Sequence, residues 1–492
     1  MYVCGVTPYA DSHIGHAMSY IIFDVIIRYL KFRGYKVKYV RNITDIDDKL
    51  IVRANQRDVP VRKLADEYIK SFHKDMEDLN IMQPDEEPKA TDMIDSENKE
   101  ELTIIKVIQG LIDKEYAYPS HGSVYFRVRS VADYGKLSHR SVGSVMAGAH
   151  IEAVEGKEHP MDFVLWKASK PDEPSWESPW GNGRPGWHIE CSAMSLKYLG
   201  NTIDIHGGGQ DLIFPHHENE IVQSESFTGT KPFVKYWLHN GMVQLGEEKM
   251  SKSLGNLITI KEALVRYSAD TIRIFVLSSH YRSPLTYSDV TLEAAEGGLR
   301  RLIEAKYKER DQYAEMNRSV LEARGEKTDN IASADVYRER FITAMDDDFN
   351  TPQAIAVLFD LASAINRAFN LGHDDKVIEH QKTFVEMTNI VGLILPKPKE
   401  DETPLKAKPF AEISESIIIR LRREKLKYVL EKVAVNPSAE NAEGHINFLR
   451  ELRNVLRNGK KFQIADEIRT KLEEIGVTLD DTPKGTVWRH KR

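Results

Sequence analysis

Of the 492 residues, 41% are hydrophobic and 29% are charged, which is typical of soluble globular proteins. A chain of this length is too long for a single core, so we expect three or four domains. It contains only two cysteines, Cys4 and Cys191, which excludes a disulfide-stabilised scaffold and indicates a reducing, cytoplasmic environment. Neither a membrane-length apolar run nor an apolar signal segment occurs, and the net charge of −7 does not indicate a nucleic-acid binder as a whole.

The first 49 residues predict a strand, a loop, a helix and a second strand. Tyr2–Val6 is a short apolar run, and the helix is expected to open at His13. Apolar residues then recur every four positions, at Ile22, Ile26 and Leu30. Gly34 is expected to end the helix, and Lys36–Val40 is predicted as the next strand. Two parallel strands joined by a helix place the first loop at the carboxyl end of a sheet, where nucleotides bind.

The start of that helix reads His13-Ile14-Gly15-His16. A helix N-terminus attracts anions, a protonated imidazole would add to that attraction, and Gly15 has no side chain to keep a phosphate away. The motif therefore predicts a phosphate site without a P-loop. The alternative is that these histidines are ordinary polar residues of a loop.

The middle of the chain changes character several times. Residues 61–112 show a helical, charged pattern with a break marked by Pro84 and Pro88. Residues 116–166 contain alternating segments, which predict a small antiparallel insertion, and Pro171–Pro185 is predicted to be a loop. Gly186–Gly246 is expected to return to the nucleotide domain, with a strand at Thr202–His206 that ends in three glycines.

A possible metal site follows this strand. His216 and Glu220 are four residues apart and would share one face of a helix. Cys4 ends the first strand and Cys191 begins a helix of the returning half, and in a doubly wound sheet these points converge on the same crevice. Cys, Cys, His and Glu form a plausible zinc set. The alternative is that the cysteines are small buried apolar residues and the histidine merely polar.

The next motif is a polar loop with lysines at Lys249 and Lys252, which suits a polyphosphate but is also compatible with a solvated loop. We predict one amphipathic helix at Lys261–Ser278 and helices from Leu292 to Leu395, with a helix start at Asn350-Thr351-Pro352. Lys397–Pro409 is the predicted linker, and a small, mostly helical domain follows, with a loop at Asn436–Gly444. Residues 406–492 carry 19 Lys and Arg against 13 Asp and Glu, compatible with a polyanionic partner at this end.

With HIGH at 13–16 followed by KMSKS at 249–253, the chain resembles the class I aminoacyl-tRNA synthetases. With its complete set of motifs, it resembles the cysteinyl-tRNA synthetase family. The strings that carry the resemblance are MYVCG (1–5), HIGH (13–16), NITDIDDK (42–49), MDFVLWK (161–167), GWHIECSAM (186–194), HGGGQDLIFPHHENE (206–220), KMSKSLGN (249–256), AMDDDFNTP (344–352) and GVTLDDTPKGTVWR (476–489). They span nearly the whole chain.

The resemblance implies a ligase that activates L-cysteine with ATP and transfers it to the terminal adenosine of tRNA-Cys. One zinc ion would be held by Cys4, Cys191, His216 and Glu220, and would bind the substrate sulfur. Thr44 and Trp187 would shape the amino-acid pocket. His13, His16, Lys249 and Lys252 would act on the phosphates with Mg²⁺. Further residues implied to bind ATP are Gly15, His206, Gly207, Gly208, Gly209 and Asp211.

The resemblance also implies an architecture and a partner. We expect an α/β protein with a Rossmann-like, doubly wound parallel sheet. The expected domains are catalytic halves at 1–115 and 181–260, a small α+β connective insertion at 116–180, a stem-contact region at 261–310, a helical bundle at 311–398 and a C-terminal anticodon-binding domain at 406–492. The anticodon would contact Arg457, Phe462, Asp466 and Asp481. For all of these side chains, solvated or core roles are the alternative. We expect a monomer that does not bind membranes.

Two departures from the family affect the ends of the chain. Family members usually carry a further short segment before the first strand, and the tail has an extra stretch at about Tyr428–Arg450. Two other functions remain open: an ATP-dependent cysteine ligase acting on a small amine, and an inert, zinc-containing tRNA-binding relative. The tail argues against the former, and the intact motifs argue against the latter.

Overall fold

The first strand, β1 (Tyr2–Val6), organises the fold because its side chains alternate between two buried faces. Val3 belongs to one hydrophobic core, whereas Tyr2 and Cys4 belong to a second core on the opposite face. A register irregularity between Val3 and Val6 allows Val6 to join the core of Val3. A strand buried on both faces is typical of a parallel sheet covered by helices on each side.

The protein is described by a computed structural model over residues 1–140, 143, 156–245, 248–249, 257–308, 331–397, 407–424, 426–430, 432–433, 442–482 and 485–490. It divides into two units, Met1–Leu395 and Pro396–Arg492. The second unit has a core of its own, which includes Ile417, Leu449 and Ile468. No described helix is both long enough and apolar enough to cross a membrane.

The described helices of the first unit are α1 (Ile14–Phe32), α2 (Asp48–Arg57), α3 (Val61–Asp78), α4 (Ile104–Asp113), α5 (Trp187–Leu199), α6 (Glu218–Thr228), α7 (Ile260–Arg266), α8 (Ala269–Leu277), α9 (Asp289–Lys306), α10 (Ala334–Asp346), α11 (Thr351–Asn370) and α12 (Asp374–Ile390). Its further strands are β2 (Val40–Ile43), β3 (Ala117–Ser120), β4 (Ser123–Phe126), β5 (Phe163–Ala168), β6 (Gly183–Pro185), β7 (Ile203–Gly209), β8 (Val234–Asn240), β9 (Val243–Leu245), β10 (Glu248–Lys249) and β11 (Leu285–Tyr287).

The main sheet has the strand order β2-β1-β7-β8, and every neighbouring pair is parallel. From β1 the chain first adds β2 on one side, and it later adds β7 and β8 on the other. This change of direction is a topological switch point, and a crevice forms there at the carboxyl ends of β1 and β7. The loop before α1 and the segment after β7 both open into this crevice.

The insertion forms an antiparallel sheet of order β3-β4-β5-β6, as its alternating pattern predicted. The strand β6 lies inside the segment predicted as a loop and beyond residue 180, because Gly183 and Arg184 pair with β5. A third sheet has the order β10-β9-β11, with β9 and β11 parallel.

Two predicted elements were wrong in extent. The strand predicted at Lys36–Val40 begins only at Val40, because its partner β1 begins at Tyr2 and pairs Tyr2 with Val40. The single helix predicted at Lys261–Ser278 is divided into α7 and α8. Ser268 begins α8 as an N-cap, accepting a hydrogen bond from the Thr271 amide, which is a role that serine favours over a helix interior.

The predicted helix start at Asn350 is confirmed, since its side chain accepts a hydrogen bond from the Gln353 amide and α11 begins at Thr351. The second unit contains the helices α13 (Ala407–Arg423), α14 (Lys427–Leu430), α15 (Ala442–Asn458) and α16 (Phe462–Glu474). It ends in a hairpin of β12 (Val477–Thr482) and β13 (Gly485–His490). This hairpin was not predicted from the sequence, which indicated a mostly helical domain. Most of the predicted linker (398–406) and of the predicted loop (436–441) lies outside the described residues.

Candidate active site and metal centre

Four buried side chains converge at the switch point: Cys4, Cys191, His216 and Glu220. Their ligand atoms all lie within 4.8 Å of one another. The alternation of β1 places Cys4 on the face of the sheet that Cys191 of α5 also covers. His216 and Glu220 are delivered by the segment that leaves β7, with His216 just before α6 and Glu220 in its first turn. The structure thus brings together the four residues predicted as ligands.

A second combination is equally close and shares two of these residues. It consists of Cys4, His206, His217 and Glu220. In this combination Nε2 of His206 is already hydrogen-bonded to Oε2 of Glu220 at 2.9 Å. In the first combination, Nε2 of His216 lies 3.0 Å from Oε1 of Glu220. The two sulfur atoms favour the first combination as the ligand set, since the second contains only one.

The ring of His216 is oriented by a second histidine. Its Nδ1 lies 2.8 Å from Nδ1 of His188. Burial, together with the charge of His216, lowers the pKa of His188 to about 3, so His188 is neutral and can accept this hydrogen bond. With Nδ1 of His216 as the donor, Nε2 is the nitrogen that faces the cluster, and it would ligate a metal ion once its proton is lost. A metal-ligating histidine is commonly held in this way by a partner behind it.

The lowered pKa values of two cluster residues also favour the binding of a cation. A hydrogen bond with Cys4 lowers the pKa of Cys191 to about 6, although burial opposes this effect. Burial also opposes ionisation of Glu220 and His216, but the pairs with His206 and His216 hold the pKa of Glu220 below its usual range. Glu220 and Cys191 in turn raise the pKa of His216 to about 10. A buried thiolate and a buried carboxylate require positive charge nearby, and a divalent metal ion supplies it.

The two residues predicted to bind the amino acid adjoin this cluster. Trp187, the first residue of α5, is 41% exposed, and its ring lies 4.2 Å from that of His216 in a stacked arrangement. Thr44 is buried, donates a hydrogen bond to Oε2 of Glu190 at 3.0 Å and accepts one from Nδ2 of Asn42 at 3.3 Å. Trp187 thus contacts one of the four cluster residues directly, whereas Thr44 is linked to the cluster through Glu190, the neighbour of Cys191 in α5.

The two histidines of the HIGH motif form a reciprocal cap at the start of α1. Nδ1 of His13 accepts a hydrogen bond from the Gly15 amide at 3.1 Å, and Nδ1 of His16 accepts one from the His13 amide at 3.2 Å. A nitrogen that accepts a hydrogen bond carries no proton, so these two contacts place a ring hydrogen on Nε2. The expectation that these rings attract a phosphate stays a prediction.

The glycines after His206 have packing roles of their own. A Cβ on Gly207 would lie 2.4 Å from the ring of Phe23 in α1, and a Cβ on Gly208 would lie 3.1 Å from the ring of His217. A Cβ on Gly209 would lie 2.4 Å from the carboxylate of Asp211. The side chain of His206 is fully buried in the metal cluster, so any contact that it makes with a nucleotide would use its backbone.

The position of the lysine motif, residues 249–256, follows only from the described residues on either side of it. Lys252 lies outside the described residues, and only the backbone of Lys249 is described, in β10. The chain that follows pairs with the loop before α1. The Ile14 amide donates to the Ile258 carbonyl at 3.0 Å, and the Ile260 amide donates to the Ser12 carbonyl at 2.9 Å. The chain after the lysine motif therefore emerges beside His13.

The four residues predicted to contact an anticodon belong to the second unit. Arg457, in the last turn of α15, is exposed, and so are Phe462 and Asp466, which are four residues apart on α16. Asp481 lies in β12, and its side chain is outside the described part.

Sequence reasoning missed four residues around the metal cluster: His188, His217, Glu190 and Glu218. Their local signal was weak, because each stands next to, or within three positions of, a predicted ligand in a string of polar residues. Only the folded structure shows which of these residues contact the predicted ligands.

Comparison with known proteins supports one family. The family model described as "tRNA synthetases class I (C) catalytic domain" matches residues 1–297, and the DALR domain model matches residues 340–395. A cysteine--tRNA ligase of Dehalococcoides mccartyi strain BAV1 is 52% identical over 493 residues, which cover 100% of this chain and 95% of the relative. The cysteine--tRNA ligase of Geobacter metallireducens is 46% identical with the same coverage.

Solved structures of lower identity share the fold. Methionyl-tRNA synthetase of Mycobacterium tuberculosis in complex with methionyl-adenylate matches with a TM-score of 0.53 at 18% identity, covering 79% of this chain and 89% of that one. The LeuRS-tRNA-LeuAMS complex of Agrobacterium radiobacter matches with a TM-score of 0.54 at 12% identity, covering 80% and 85%. The predicted fold class is confirmed.

Proposed function

Since this chain belongs to the cysteine–tRNA ligases, a family of class I tRNA synthetases, we propose that it joins L-cysteine to tRNA-Cys in an ATP-dependent reaction. The observation that carries the proposal is the convergence of two cysteines, a histidine and a glutamate beside the HIGH loop, at the carboxyl end of a parallel sheet. In the first step the cysteine carboxylate attacks the α-phosphorus of ATP, which forms cysteinyl-adenylate and releases pyrophosphate. In the second step a ribose hydroxyl of the terminal adenosine attacks the adenylate carbonyl and releases AMP.

We assign zinc to Cys4, Cys191, His216 and Glu220, because this donor set mixes thiolate, imidazole and carboxylate as zinc sites do. When bound, zinc would stabilise the thiolate of a substrate cysteine as an added ligand, whereas the hydroxyl of serine is a poor ligand. His188 orients the ring of His216, and His206 holds the second oxygen of Glu220. A metal ion would therefore discriminate cysteine from serine more strongly than an apolar pocket, in which the exchange of one sulfur atom for oxygen has only a modest effect on binding.

Thr44 and Trp187 are the proposed contacts for the rest of the amino acid. The single hydroxyl hydrogen of Thr44 is directed at Glu190, and Asn42 occupies one oxygen lone pair, so the hydroxyl has acceptor capacity left for an ammonium group. The half-exposed indole of Trp187 covers the ring of His216 and limits the room beside the metal cluster.

The phosphates of ATP are assigned to the HIGH loop at the start of α1. His13 and His16 offer Nε2–H donors at a helix N-terminus, where positioned donors stabilise charge that develops in the transition state. Lys249 and Lys252, with Mg²⁺, would hold the departing pyrophosphate. Gly15 leaves room for the phosphates, and Gly207, Gly208, Gly209 and Asp211 would line the adenosine site next to His206.

Recognition of tRNA is assigned to the second unit. Arg457, Asp466 and Asp481 would read base edges, and the exposed ring of Phe462 would stack on an unpaired base. A monomeric state and a cytoplasmic location stay predictions.

The test is ATP-dependent charging of total tRNA with labelled cysteine, with serine in parallel. We expect charging with cysteine alone. Adenylate formation with cysteine but no charging would instead indicate a ligase for a small amine. If neither reaction occurs in protein with verified zinc and intact termini, an inert tRNA-binding protein is the better description.

A further inference from the structure

One loop of the insertion, residues 134–138, forms hydrogen bonds with the first turn of α6, the helix that carries Glu220. The carboxylate of Glu218, the first residue of α6, is fully buried and accepts three backbone hydrogen bonds from this loop. The donors are the amides of Gly135 at 3.0 Å, Leu137 at 3.1 Å and Ser138 at 2.9 Å. Hydrogen bonds to an ionised carboxylate are among the strong ones, and three of them offset much of the cost of burying it.

The same loop contacts α6 at two more positions. The hydroxyl of Tyr134 donates to Oδ1 of Asn219 at 2.8 Å, and Nζ of Lys136 lies 2.5 Å from Oε2 of Glu225. Glu218 and Asn219 directly precede Glu220, so the loop holds the first turn of the helix at the two residues before the metal-ligating carboxylate.

The conformation of the loop depends on Gly135. Gly135 has a φ of +95°, a conformation that residues with a side chain rarely adopt. A Cβ at this position would also lie 1.9 Å from the carbonyl oxygen of Arg140. Glycine is therefore required for the turn that aligns the three amides.

We propose that Glu218 is a positioning residue for the metal centre. By fixing the first turn of α6 against the insertion, it sets the carboxylate of Glu220 and the ring of His216 at the separation that zinc requires. Ligand distances in such sites vary by only about 0.2 Å, so a small displacement of this turn separates the ligands from their ion. The inference rests on the proposed assignment of zinc to this site.

The chain offers a matched control on the same helix. Glu225 is also buried, also accepts a backbone amide (that of Phe233, at 3.2 Å) and also pairs with the insertion loop through Lys136. It lies beyond the first turn, five residues after Glu220. Replacing it removes comparable contacts between helix and loop without releasing the turn that carries the ligands.

The experiment measures zinc affinity in the full-length chain, stripped of metal, by competition with a chromophoric chelator. Glu218→Gln keeps the shape, but its amide –NH₂ faces a backbone N–H. We expect it to weaken zinc binding about 10- to 100-fold, the usual effect of losing a group that supports a ligand. Gly135→Ala disturbs the same hydrogen bonds from the side of the loop, and we expect it to weaken zinc binding as well. Glu218→Asp, which keeps the charge, should fall between Gln and the original residue.

Glu225→Gln should leave the zinc affinity within about threefold of the original value, and circular dichroism identifies any variant that does not fold. Thermal unfolding with and without zinc provides a second readout, in which the stabilisation by zinc shrinks for Glu218→Gln but not for Glu225→Gln. Unchanged zinc affinity in Glu218→Gln and Gly135→Ala would overturn the inference, even if both variants were less stable. A lack of zinc binding by the unaltered chain would overturn the metal assignment itself, and the inference with it.

Discussion

Nε2 of His216 lies 3.0 Å from Oε1 of Glu220, and both side chains of this ion pair are buried. The two residues are four positions apart, so their side chains lie side by side on one face of the chain. The other oxygen of Glu220 is held by His206 at 2.9 Å. Both oxygens of the carboxylate thus face imidazole nitrogens, one of His206 and one of His216. The pair lies in the cluster that we assign to zinc, and it motivates the first two predictions.

Replacing Cys191 with serine should reduce the zinc content and slow cysteine activation by at least about 100-fold, since losing even an outer partner of a ligand costs 10- to 100-fold. The physical reason is that a hydroxyl does not replace a thiolate, which the contact with Cys4 already favours at Cys191. Metal analysis and ATP–pyrophosphate exchange measure the two effects. Ser192→Ala changes the adjacent, fully buried residue and should retain both properties. Unchanged zinc content and activation in Cys191→Ser would refute the ligand set.

Removing zinc with a chelator should lower the unfolding temperature of the first unit. Zinc at 100 times its dissociation constant stabilises the folded state by about 2.7 kcal/mol. All four ligands lie within Met1–Leu395, so a transition of the second unit, which has its own core, should not move. Differential scanning calorimetry of the full chain with and without chelator checks both statements. Superimposable scans would contradict the metal assignment.

Substituting asparagine for His13 separates helix capping from catalysis. Asparagine is a favourable N-cap residue, so the stability of α1 should be preserved. The Nε2–H donor is lost, and cysteine activation should slow about 100- to 1,000-fold, as for other preorganised donors. ATP–pyrophosphate exchange and thermal unfolding measure the two effects. A variant as active as the original would show that this ring does not act on the phosphates.

Gly207→Ala should destabilise the first unit by about 1–3 kcal/mol, a typical cost of overpacking a core. The new Cβ would lie 2.4 Å from the ring of Phe23, which must shift within α1. Gly297→Ala is the control, because its Cβ meets no atom within 4 Å and alanine favours the interior of α9 by about 0.5–1 kcal/mol. Urea unfolding of both variants should give opposite signs. Equal midpoints would contradict the close packing of α1 on β7.

Asp75 makes stability depend on pH. Its carboxyl group is 1% exposed and Oδ2 has no hydrogen-bond partner among the described residues. Burial raises its pKa to about 6, against the opposing charge of Lys261 and with support from Asp11. Because the folded pKa lies above the unfolded one, folding is penalised once the group ionises. This penalty is absent below about pH 4, grows up to about pH 6 and stays constant above it.

Asp75→Asn should therefore raise the free energy of unfolding by about 1–3 kcal/mol at neutral pH, since each pKa unit corresponds to about 1.4 kcal/mol. The gain should vanish near the unfolded pKa, at about pH 4. Asp78→Asn alters a more exposed carboxylate of the same helix and should change stability by less than about 0.5 kcal/mol throughout. Urea unfolding across this pH range measures the difference. A gain in Asp75→Asn that does not depend on pH would contradict the raised pKa.

The sequence by itself determined the features that act over short distances. The spacing of apolar residues identified β1 and α1, the change from helical to alternating patterns located the insertion, and Asn350 marked the start of α11. Motif order was enough to name the family, and the chemistry of Cys4, Cys191, His216 and Glu220 was enough to suggest one metal ion. These signals depend on residue type and on spacing within one element.

The tertiary structure decided which side chains support these groups and how they are protonated. Cys4 and Glu220 are 216 positions apart in the chain, and the Gly135 amide reaches Glu218 across 83 positions. His188, His206 and His217 stand near predicted ligands in similar strings, and only packing shows that His188 contacts the ring of His216 and that His206 contacts Glu220. The tautomers of His13 and His16 were likewise fixed by backbone amides. Spacing rules reach one or two helical turns, whereas a crevice between parallel strands is assembled from segments whose proximity depends on the order of the strands.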